Sequence, residues 1–580
     1  MSAFAPRSGP CSPRHADPRP PRREEIVQLD GAAKKALETG RSRLLIGAVV
    51  FGLAFLVIIG RLADVSLLQD VSEPRLADQA PVPPVAERAD IIDRNGIVLA
   101  TSLATFSLFA NPSQVQDADE AAKELAGALP DLSAAELKAK LASDKTFVWL
   151  QRNLTPRQQL DVTRLGIPGL YFQAEEKRVY PLGSLVSHVV GFTDLDNKGI
   201  AGIEDSFDDV LAGGRHPVQL SLDVRIQQIL REELTRGISD FSAIGGAGIV
   251  LDARTGEILA MVSLPDFDPN QVGTASPEQR FNRATLGIYE MGSTFKVFNT
   301  AMALDSGRIH LTDRFDVHPI SIGRYTIHDF EPMNHPLTVP EIFMLSSNIG
   351  AARMAMEMGT DSQKSFLAKV GMLRPVNVEL PEVGRPLFPV DWKPINTMTI
   401  AFGHGIAVSP LHVVSGVAAM VNGGIMRPAT LIRRGPDEVT DGQRVISAGT
   451  SNLMRELFRL VVQAGTGKAA EAPGYLVGGK TGTAEKTLAK GYSTNARLAS
   501  FVGAFPINDP RYIVLVMVDE PKPNAHSYGF ATGGWVAAPV VSRVVQRMAP
   551  LLGMAPVPKD APETKNDLLL TVSATANAPE

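Results

Sequence analysis

The sequence predicts an α/β (α+β) protein whose largest domain is one antiparallel sheet flanked by helices. Strand–turn–strand patterns lie near both ends of this domain, at residues 247–262 and 500–518, and each is typical of a hairpin. Helix-like apolar spacing occupies the sequence between them. A sheet that receives a hairpin from each end and carries helices on its faces accounts for this order. The third observation is an apolar run at residues 44–60, which predicts one N-terminal membrane helix.

The composition is that of a globular protein. Of 580 residues, 44% are hydrophobic and 21% are charged, which excludes a mainly disordered, collagen-like or coiled-coil chain. The net charge is −5, whereas proteins that bind nucleic acid through phosphate contacts are usually basic. We therefore predict no nucleic-acid partner. Cys11 is the only cysteine, which excludes an intramolecular disulfide and cysteine-rich zinc sites. We expect neither a metal nor a cofactor.

The apolar run reads LLIGAVVFGLAFLVIIG and contains no charge. Its length is at the short end of the ~17–25 residues that span a bilayer. Residues 1–43 have a net charge of +4, and positively charged flanks stay in the cytoplasm. The alternatives are a buried core helix and a cleaved signal peptide. A core helix would normally keep a polar stripe, and no small-residue cleavage site follows Arg61. We predict a cytoplasmic basic tail at 1–43, an uncleaved single-pass anchor at 44–61, and a body outside the cytoplasm.

The exported part divides by composition. Residues 62–220 begin with a proline-rich stretch that predicts an extended stalk, and then alternate short strand-like and helical pieces without a cluster of reactive side chains. We interpret this region as a stalk and an N-terminal non-catalytic module. Residues 221–552 form the predicted α/β domain. Residues 553–580 are rich in Pro, Ala and small polar side chains and are expected to be disordered.

Ser293 and Lys296 open a helix-like stretch in the spacing S-x-x-K. Positions three apart share one face of a helix, so the hydroxyl and the amine can meet. A serine hydroxyl needs an adjacent base to act as a nucleophile. A lysine can be that base only where burial or nearby positive charge lowers its pKa. Taken alone, the pattern is expected about once by chance in a chain of this size.

Ser346-Ser347-Asn348 lies about fifty residues further on, between two helical pieces. On a turn, Ser346 and Asn348 would present a hydroxyl and a carboxamide to the same cleft. The alternative is an ordinary helix N-cap, since Ser and Asn are both favoured there.

Lys480-Thr481-Gly482, followed by Thr483, is typical of a strand weakened by glycine. Thr481 and Thr483 would point to one face and Lys480 to the other. Gly482 marks a close backbone approach, where we expect the substrate backbone to lie. The alternative is an ordinary turn.

Several weaker patterns are set aside. Residues 465–468 suggest a phosphate loop but lack the other residues of a Walker A motif. His328, Asp329 and His335 suggest a metal site, but no further ligand pair accompanies them, and a structural loop is favoured. Trp535 is interpreted as a core residue.

The three reactive patterns occur in the order S-x-x-K, S-x-N, K-T-G, which is a related form of the set carried by penicillin-reactive serine enzymes. With them the chain resembles the class B penicillin-binding proteins, in particular the FtsI-type, division-specific peptidoglycan D,D-transpeptidases. The resemblance runs from the anchor to about residue 545. Its further blocks are residues 88–96, 178–183, 202–204, 282–284, 465–466, 533–534 and 537–539. It implies the penicillin-binding, serine-transpeptidase fold for residues 221–552 and a pedestal or dimerisation-like module before it.

The resemblance also implies an acyl-serine mechanism. Ser293 would attack the D-Ala-D-Ala carbonyl of a peptidoglycan stem peptide, and Lys296 would be its base. Ser346 would relay the proton to the leaving amine. Asn348 would hold the donor amide and help to fix Lys296.

The strand motif would bind the donor's terminal carboxylate. By resemblance, Lys480 supplies positive potential and lowers the pKa of Lys296, while Thr481 and Thr483 hydrogen-bond the carboxylate beside Gly482. The oxyanion would lie between the backbone N–H groups of Ser293 and Thr483. β-Lactams would acylate the same serine.

The family implies partners and a location as well. These are peptidoglycan stem peptides, β-lactam antibiotics, divisome proteins including a SEDS-type glycosyltransferase, and the bacterial inner membrane at the division septum, with a periplasmic catalytic domain. Two alternatives stay open. One is an elongation-specific class B transpeptidase. The other is a non-enzymatic β-lactam sensor or divisome scaffold that keeps the fold.

Overall fold

The structure, a computed structural model, describes residues 31–63, 88–214, 216–323, 325–435, 438, 442–488 and 491–557. Most of the predicted basic tail, nearly all of the proline-rich stretch before residue 88 and most of the C-terminal tail lie outside the described residues. The chain divides into two units, residues 1–84 and 85–580, and each is described by itself.

The first unit contains one long helix, α1, at Ala32–Ala63. Within it, Thr39–Leu62 has a mean hydropathy of 2.5 and is long and apolar enough to cross a membrane. No other helix among the described residues meets both conditions. The helix begins twelve residues before the apolar run because Lys, Ala and Leu are good helix formers and continue it into the polar flank.

The second unit begins with a module built on a small sheet. In this sheet β2 pairs antiparallel with β1, β3 and β4, and β1 pairs in parallel with β7. The strands of this sheet are β1 Ile91–Ile92, β2 Val98–Ala110, β3 Val148–Leu154, β4 Leu170–Val179 and β7 Val218–Gln219. A separate antiparallel pair is formed by β5 Phe192–Thr193 and β6 Gly199–Ala201. The helices are α2 Ala118–Ala128, α3 Ala134–Leu141, α4 Pro156–Leu165, α5 Ser187–Val190, α6 Gly202–Ser206 and α7 Asp208–Ala212.

A buried ion cluster joins distant parts of this module. Arg88 Nε and Arg178 Nε each lie 2.7 Å from a different carboxylate oxygen of Glu204, whose side chain is completely buried. Arg178 also donates to the carbonyl of Ala89, and Arg88 pairs with Asp208. Breaking such a cluster leaves a buried charge without a partner, which is strongly destabilising. The cluster therefore holds three sequence blocks of the module in one arrangement.

The large domain is built on a five-stranded sheet in the order β16-β17-β18-β8-β9, and every pairing in it is antiparallel. Its strands are β8 Gly245–Asp252, β9 Ile258–Leu264, β16 Gly478–Leu488, β17 Gly491–Phe505 and β18 Tyr512–Asp519. Short strands elsewhere in the domain are β10 Arg314–Phe315, β11 Ile320–Ile322, β12 Tyr325–Ile327, β13 Leu337–Thr338, β14 Ile425–Met426 and β15 Gln443–Arg444. Both predicted hairpins are present, and they join each other through the β8–β18 pairing.

Helices cover the sheet, which confirms the predicted fold class. They are α8 Val224–Asp240, α9 Pro277–Arg280, α10 Lys296–Asp305, α11 Val339–Met344, α12 Asn348–Met358, α13 Thr360–Lys369, α14 Pro394–Ile400, α15 Pro410–Val421, α16 Ala448–Gln463 and α17 Gly533–Leu551. Every residue of β8 and β18 is buried. Side chains on the two faces of the sheet pack into two large apolar clusters. One cluster includes residues of α8 and α17, and the other includes residues of α10 and α15. The sheet thus lies between two helical layers.

Candidate active site

Ser293 lies in a single 3₁₀ turn, Gly292–Phe295, that leads directly into α10. The turn is packed tightly on both sides. A Cβ on Gly292 would lie 2.4 Å from the carbonyl oxygen of Thr483 on β16, and a Cβ on Gly403 would lie 2.1 Å from the carbonyl oxygen of Gly292. Gly292 also has a φ of +56°, which glycine adopts without a steric cost. The backbone around Ser293 is therefore fixed by its neighbours.

Lys296 begins α10 and is completely buried except for 1% of its surface. Its Nζ lies 2.9 Å from Ser293 Oγ, 2.7 Å from Asn348 Oδ1 and 3.1 Å from Ser346 Oγ, and it donates to the Ser346 carbonyl. The amide oxygen of Asn348 and the carbonyl oxygen of Ser346 can only accept hydrogen bonds. A neutral Lys296 amine has two N–H groups, which these two oxygens would accept, and its lone pair would then be left to accept a hydrogen bond from a serine hydroxyl.

The environment favours this neutral form. Burial lowers the pKa of Lys296 well below its usual value, and the nearby charge of Lys480 lowers it further. Asp329 acts in the opposite direction. Because burial is the larger cause, the lysine is suited to accept a proton.

Ser346 lies in the turn between α11 and α12, and Asn348 is the first residue of α12. Ser346 has a φ of +62°, an uncommon conformation for a residue with a side chain. Ser347 is the N-cap of α12, where its Oγ accepts from the Gly350 N–H at 2.9 Å. The expected cap thus exists, but it occupies Ser347 and leaves both neighbours facing Lys296.

Lys480 on β16 lies on the other side of Ser346. It is fully buried, and its Nζ donates to Ser346 Oγ at 2.9 Å. Burial lowers the pKa of Lys480 to about 7. The Nζ also lies 5.8 Å from the centre of the Phe343 ring. Ser346 Oγ is therefore held between two buried amines.

Thr481 and Thr483 on β16 contact separate groups. Thr481 Oγ1 lies 2.8 Å from Thr466 Oγ1, and Thr483 Oγ1 accepts from the N–H of Gly533 at the start of α17, at 3.1 Å. Both side chains are thus oriented by hydrogen bonds of their own.

The expectation for Gly482 is wrong in its physical reason. A Cβ there would lie 2.4 Å from Ser500 Oγ, 2.8 Å from Thr294 Cγ2 and 2.9 Å from the Met291 carbonyl oxygen. The space is filled by protein and is not open to a substrate. Glycine is required because β16 packs against the turn that carries Ser293.

Sequence reasoning missed Asp329, which it had placed in a structural loop. Asp329 accepts hydrogen bonds from Ser347 Oγ and from the backbone N–H groups of Asn348 and Ile349. A loop eighteen residues earlier in the chain gives no sequence signal for this contact. Among the described residues, no group of three or more His, Cys, Asp or Glu could hold a metal ion.

Trp535 is also placed differently from the expectation. It is 38% exposed, not a core residue, and it is stacked on Phe530 with the ring centres 6.4 Å apart. Tyr528 and Phe330 complete a group of exposed aromatic side chains. An aromatic face of this kind is suited to contact the apolar part of a ligand.

Two family descriptions match the chain. Residues 246–546 match the penicillin binding protein transpeptidase domain, and residues 83–239 match the penicillin-binding protein dimerisation domain.

Individual proteins match along most of their length. The chain is 42% identical over 482 residues to the probable peptidoglycan D,D-transpeptidase FtsI of Caulobacter vibrioides, covering 80% of this chain and 82% of that protein. It is 29% identical to the peptidoglycan D,D-transpeptidase FtsI of Escherichia coli, covering 87% and 90%. It is also 31% identical to stage V sporulation protein D of Bacillus subtilis, covering 89% and 87%.

A solved structure has the same fold. The crystal structure of penicillin-binding protein 3 from Mycobacterium tuberculosis, complexed with aztreonam, matches with a TM-score of 0.66 and 25% identity. The match covers 84% of this chain and 99% of that one.

Proposed function

Because the chain belongs to the class B penicillin-binding proteins, in which a transpeptidase domain follows a dimerisation domain, we propose that it is a membrane-anchored serine D,D-transpeptidase that crosslinks peptidoglycan stem peptides during cell division. The relatives from Caulobacter vibrioides and Escherichia coli carry the name of this activity. β-Lactams are its expected inhibitors, since a structural neighbour is complexed with aztreonam.

One observation carries the proposal: the buried amine of Lys296 lies 2.9 Å from Ser293 Oγ with its N–H groups directed at oxygen acceptors. A nucleophile and its base within hydrogen-bond distance, with the base oriented by a third group, is the arrangement that covalent catalysis requires. Asn348 is the orienting group.

In the acylation step, Ser293 Oγ attacks the carbonyl carbon of the penultimate D-Ala, and its proton passes to Lys296 Nζ. The proton then moves through Ser346 Oγ, which lies 3.1 Å from Lys296 Nζ, to the nitrogen of the leaving D-Ala. The C–N bond breaks, and an ester to Ser293 remains. An amine from a neighbouring stem attacks this ester, forms the crosslinking amide and returns the proton to Ser293.

Charge stabilisation comes from fixed groups. The backbone N–H groups of Ser293 and Thr483 form the proposed oxyanion hole, and preorganised donors of this kind are usually the largest single contribution to catalysis. Lys480, when protonated, attracts the terminal carboxylate, and Thr481 and Thr483 hydrogen-bond it. Gly482 contributes by letting β16 approach the Ser293 turn.

The activity is tested with purified full-length protein in detergent, a thioester analogue of acyl-D-Ala-D-Ala, and a D-amino acid as acceptor. Wild type is expected to form the new amide, and Ser293→Ala is expected to form none. A hydrolase would release only the free acid, and a scaffold without catalytic activity would release neither product.

We further propose that the protein crosses the inner membrane once, with its N terminus in the cytoplasm and its catalytic domain in the periplasm. The apolar helix Thr39–Leu62 and the basic residues before it support this topology. Cys11, the only cysteine, provides the test. A membrane-impermeant maleimide should label it only after spheroplasts are permeabilised, and labelling of intact spheroplasts would contradict the topology.

The role in cell division and the partners are proposed from the similarity to the named relatives. We propose a septal location and docking of divisome proteins, including a SEDS-type glycosyltransferase, on residues 88–220 of the N-terminal module. The domain boundary between this module, at residues 62–220, and a catalytic domain at 221–552 is part of the same proposal. Depletion should give filaments, whereas rounded cells would indicate an elongation enzyme instead. The sporulation protein among the relatives makes this experiment necessary.

A further inference from the structure

Within the described part of the chain, Asp329 is the carboxylate that accepts hydrogen bonds from the turn carrying Ser346 and Asn348. It lies in the loop between β12 and β13. Its Oδ2 accepts from Ser347 Oγ at 2.5 Å, and its Oδ1 accepts from the N–H groups of Asn348 at 2.5 Å and Ile349 at 2.9 Å. These N–H groups belong to the first turn of α12, where a helix lacks partners for its donors and favours negative charge.

The same loop sets the orientation of the Asn348 amide. The carbonyl oxygen of His328 accepts from Asn348 Nδ2 at 3.1 Å. With its nitrogen taken up on this side, the amide turns its oxygen towards Lys296 Nζ, 2.7 Å away. The loop residues 328–329 thus determine which end of the amide faces the proposed base.

The turn needs such a clamp because its backbone is strained. Ser346 adopts a φ of +62°, and a residue that bears a side chain stays in this strained region only where the surrounding structure imposes it. In this conformation the Ser346 carbonyl and hydroxyl both contact Lys296 Nζ. If the turn relaxed to a negative φ, these two groups would turn away from the lysine.

The charge of Asp329 reaches the proposed base as well. Three titratable groups interact electrostatically with Lys296: Lys480, Asp329 and His404. Lys480 lowers the pKa of Lys296, and Asp329 raises it. Removing the negative charge of Asp329 should therefore let Lys296 lose its proton at a lower pH.

We propose that Asp329 is a positioning residue, which clamps the 346–348 turn and so presents Ser346 Oγ and Asn348 Oδ1 to Lys296. The inference rests on the proposed function for its effect on acylation. It makes a separate structural claim, because the clamp exists whether or not the enzyme is active.

The kinetic test measures the second-order rate constant for acylation of full-length protein by a fluorescent penicillin, between pH 5 and 9. Asp329→Ala removes three hydrogen bonds and should lower this constant about 100-fold, the order of loss expected for a misplaced catalytic group. Asp329→Asn keeps an acceptor oxygen and removes the charge. It should stay within about tenfold of wild type, while the midpoint of the rising limb of its pH profile moves to lower pH.

Two controls separate positioning from stability and from general charge effects. Asp305 accepts from the N–H of Ser447, the N-cap of α16, at 2.7 Å and from Thr450 Oγ1 at 2.9 Å. It lies nine residues after Lys296 on α10, or about 13 Å along the helix. Asp305→Ala should lower the melting temperature as much as Asp329→Ala and leave acylation unchanged. Glu331→Gln removes an exposed charge from the same loop and should leave the pH profile unchanged.

A structural measurement keeps this claim apart from the proposed function. In a crystal structure of Asp329→Ala, Ser346 should leave the positive-φ region. A turn that stays in place would overturn the proposal, as would acylation of Asp329→Ala at the wild-type rate or an unshifted profile in Asp329→Asn. If wild type itself is not acylated, the proposed function fails, and the crystal structure still decides whether Asp329 is the clamp.

Discussion

Lys480 Nζ donates a hydrogen bond to Ser346 Oγ at 2.9 Å, although 134 residues separate the two in sequence. This contact joins the sheet to the helical layer at the point where Lys296 approaches the same hydroxyl from the other side. A buried amine is unfavourable while it carries its charge. Keeping Lys480 in this position should therefore have a measurable cost in stability.

Replacing Lys480 by Met should stabilise the fold and inactivate the site. In the unfolded chain Lys480 keeps its proton up to its usual pKa of 10.5, whereas in the folded protein it releases the proton near 7. Between these values the unfolded state binds more protons, so stability rises with pH. Lys480→Met should be more stable than wild type at pH 7, by roughly 1–4 kcal/mol. Penicillin acylation should fall in the same variant.

The measurement is the urea unfolding midpoint at pH 7 and pH 9. The rise between these pH values should be smaller in Lys480→Met than in wild type. A residual rise is expected because the pKa of Lys296 is lowered as well. An identical rise in the two proteins would show that Lys480 does not titrate in this range.

Lys296→Arg should remove acylation while keeping the positive charge. Arginine stays protonated in proteins and cannot accept the proton of Ser293. We expect the acylation rate to fall by about 100- to 10,000-fold, the usual contribution of general base catalysis. The check is stopped-flow acylation by a fluorescent penicillin, with circular dichroism to show folding. A rate within tenfold of wild type would mean that Lys296 acts only through its charge.

Gly482→Ala should displace the turn that carries Ser293, because β16 packs directly against this turn. The added Cβ would collide with Thr294 Cγ2 and with the Met291 carbonyl oxygen. Overpacking of this kind typically costs about 1–3 kcal/mol, and the shift of the turn should slow acylation. Gly503→Ala on the neighbouring strand is the matched control, because its Cβ would meet chiefly the edge of the Phe501 ring, at 3.0 Å. Equal acylation rates in the two variants would contradict the packing argument.

Glu204→Gln should unfold the N-terminal module more easily. The change leaves Arg88 and Arg178 buried without their shared carboxylate, a loss of about 3–5 kcal/mol. Asp196→Asn is the control, since Asp196 is 78% exposed where it pairs with Arg152, and surface pairs contribute about 0–1 kcal/mol. Limited proteolysis of residues 88–220 should be faster only in Glu204→Gln. Equal proteolysis rates would assign the stability of the module to other contacts.

Sequence patterns that depend on short-range spacing were informative. The hairpins β8–β9 and β17–β18 follow from alternation around a turn, and the pairs Ser293–Lys296 and Ser346–Asn348 follow from residue type at fixed intervals. The apolar helix was also evident, although the sequence placed its start at Leu44 and the structure extends α1 back to Ala32.

Features that depend on long-range packing were not accessible in this way. Asp329 contacts the turn at 347–349 only because the β12–β13 loop folds over the start of α12. The reason for Gly482 depends on atoms of Thr294 and Ser500. Neither relation has a local signature, since each one joins segments that are distant in the chain.

The central claim, that Ser293 is the nucleophile that Lys296 activates, is tested most directly by identifying the acylated residue. Purified full-length wild type, Ser293→Ala and Lys296→Ala are incubated with a fluorescent penicillin, and the labelled peptide is sequenced by mass spectrometry. We predict a stable adduct on Ser293 in wild type and no adduct in either variant. A folded wild type without an adduct, or an adduct that persists in Ser293→Ala, would contradict the account.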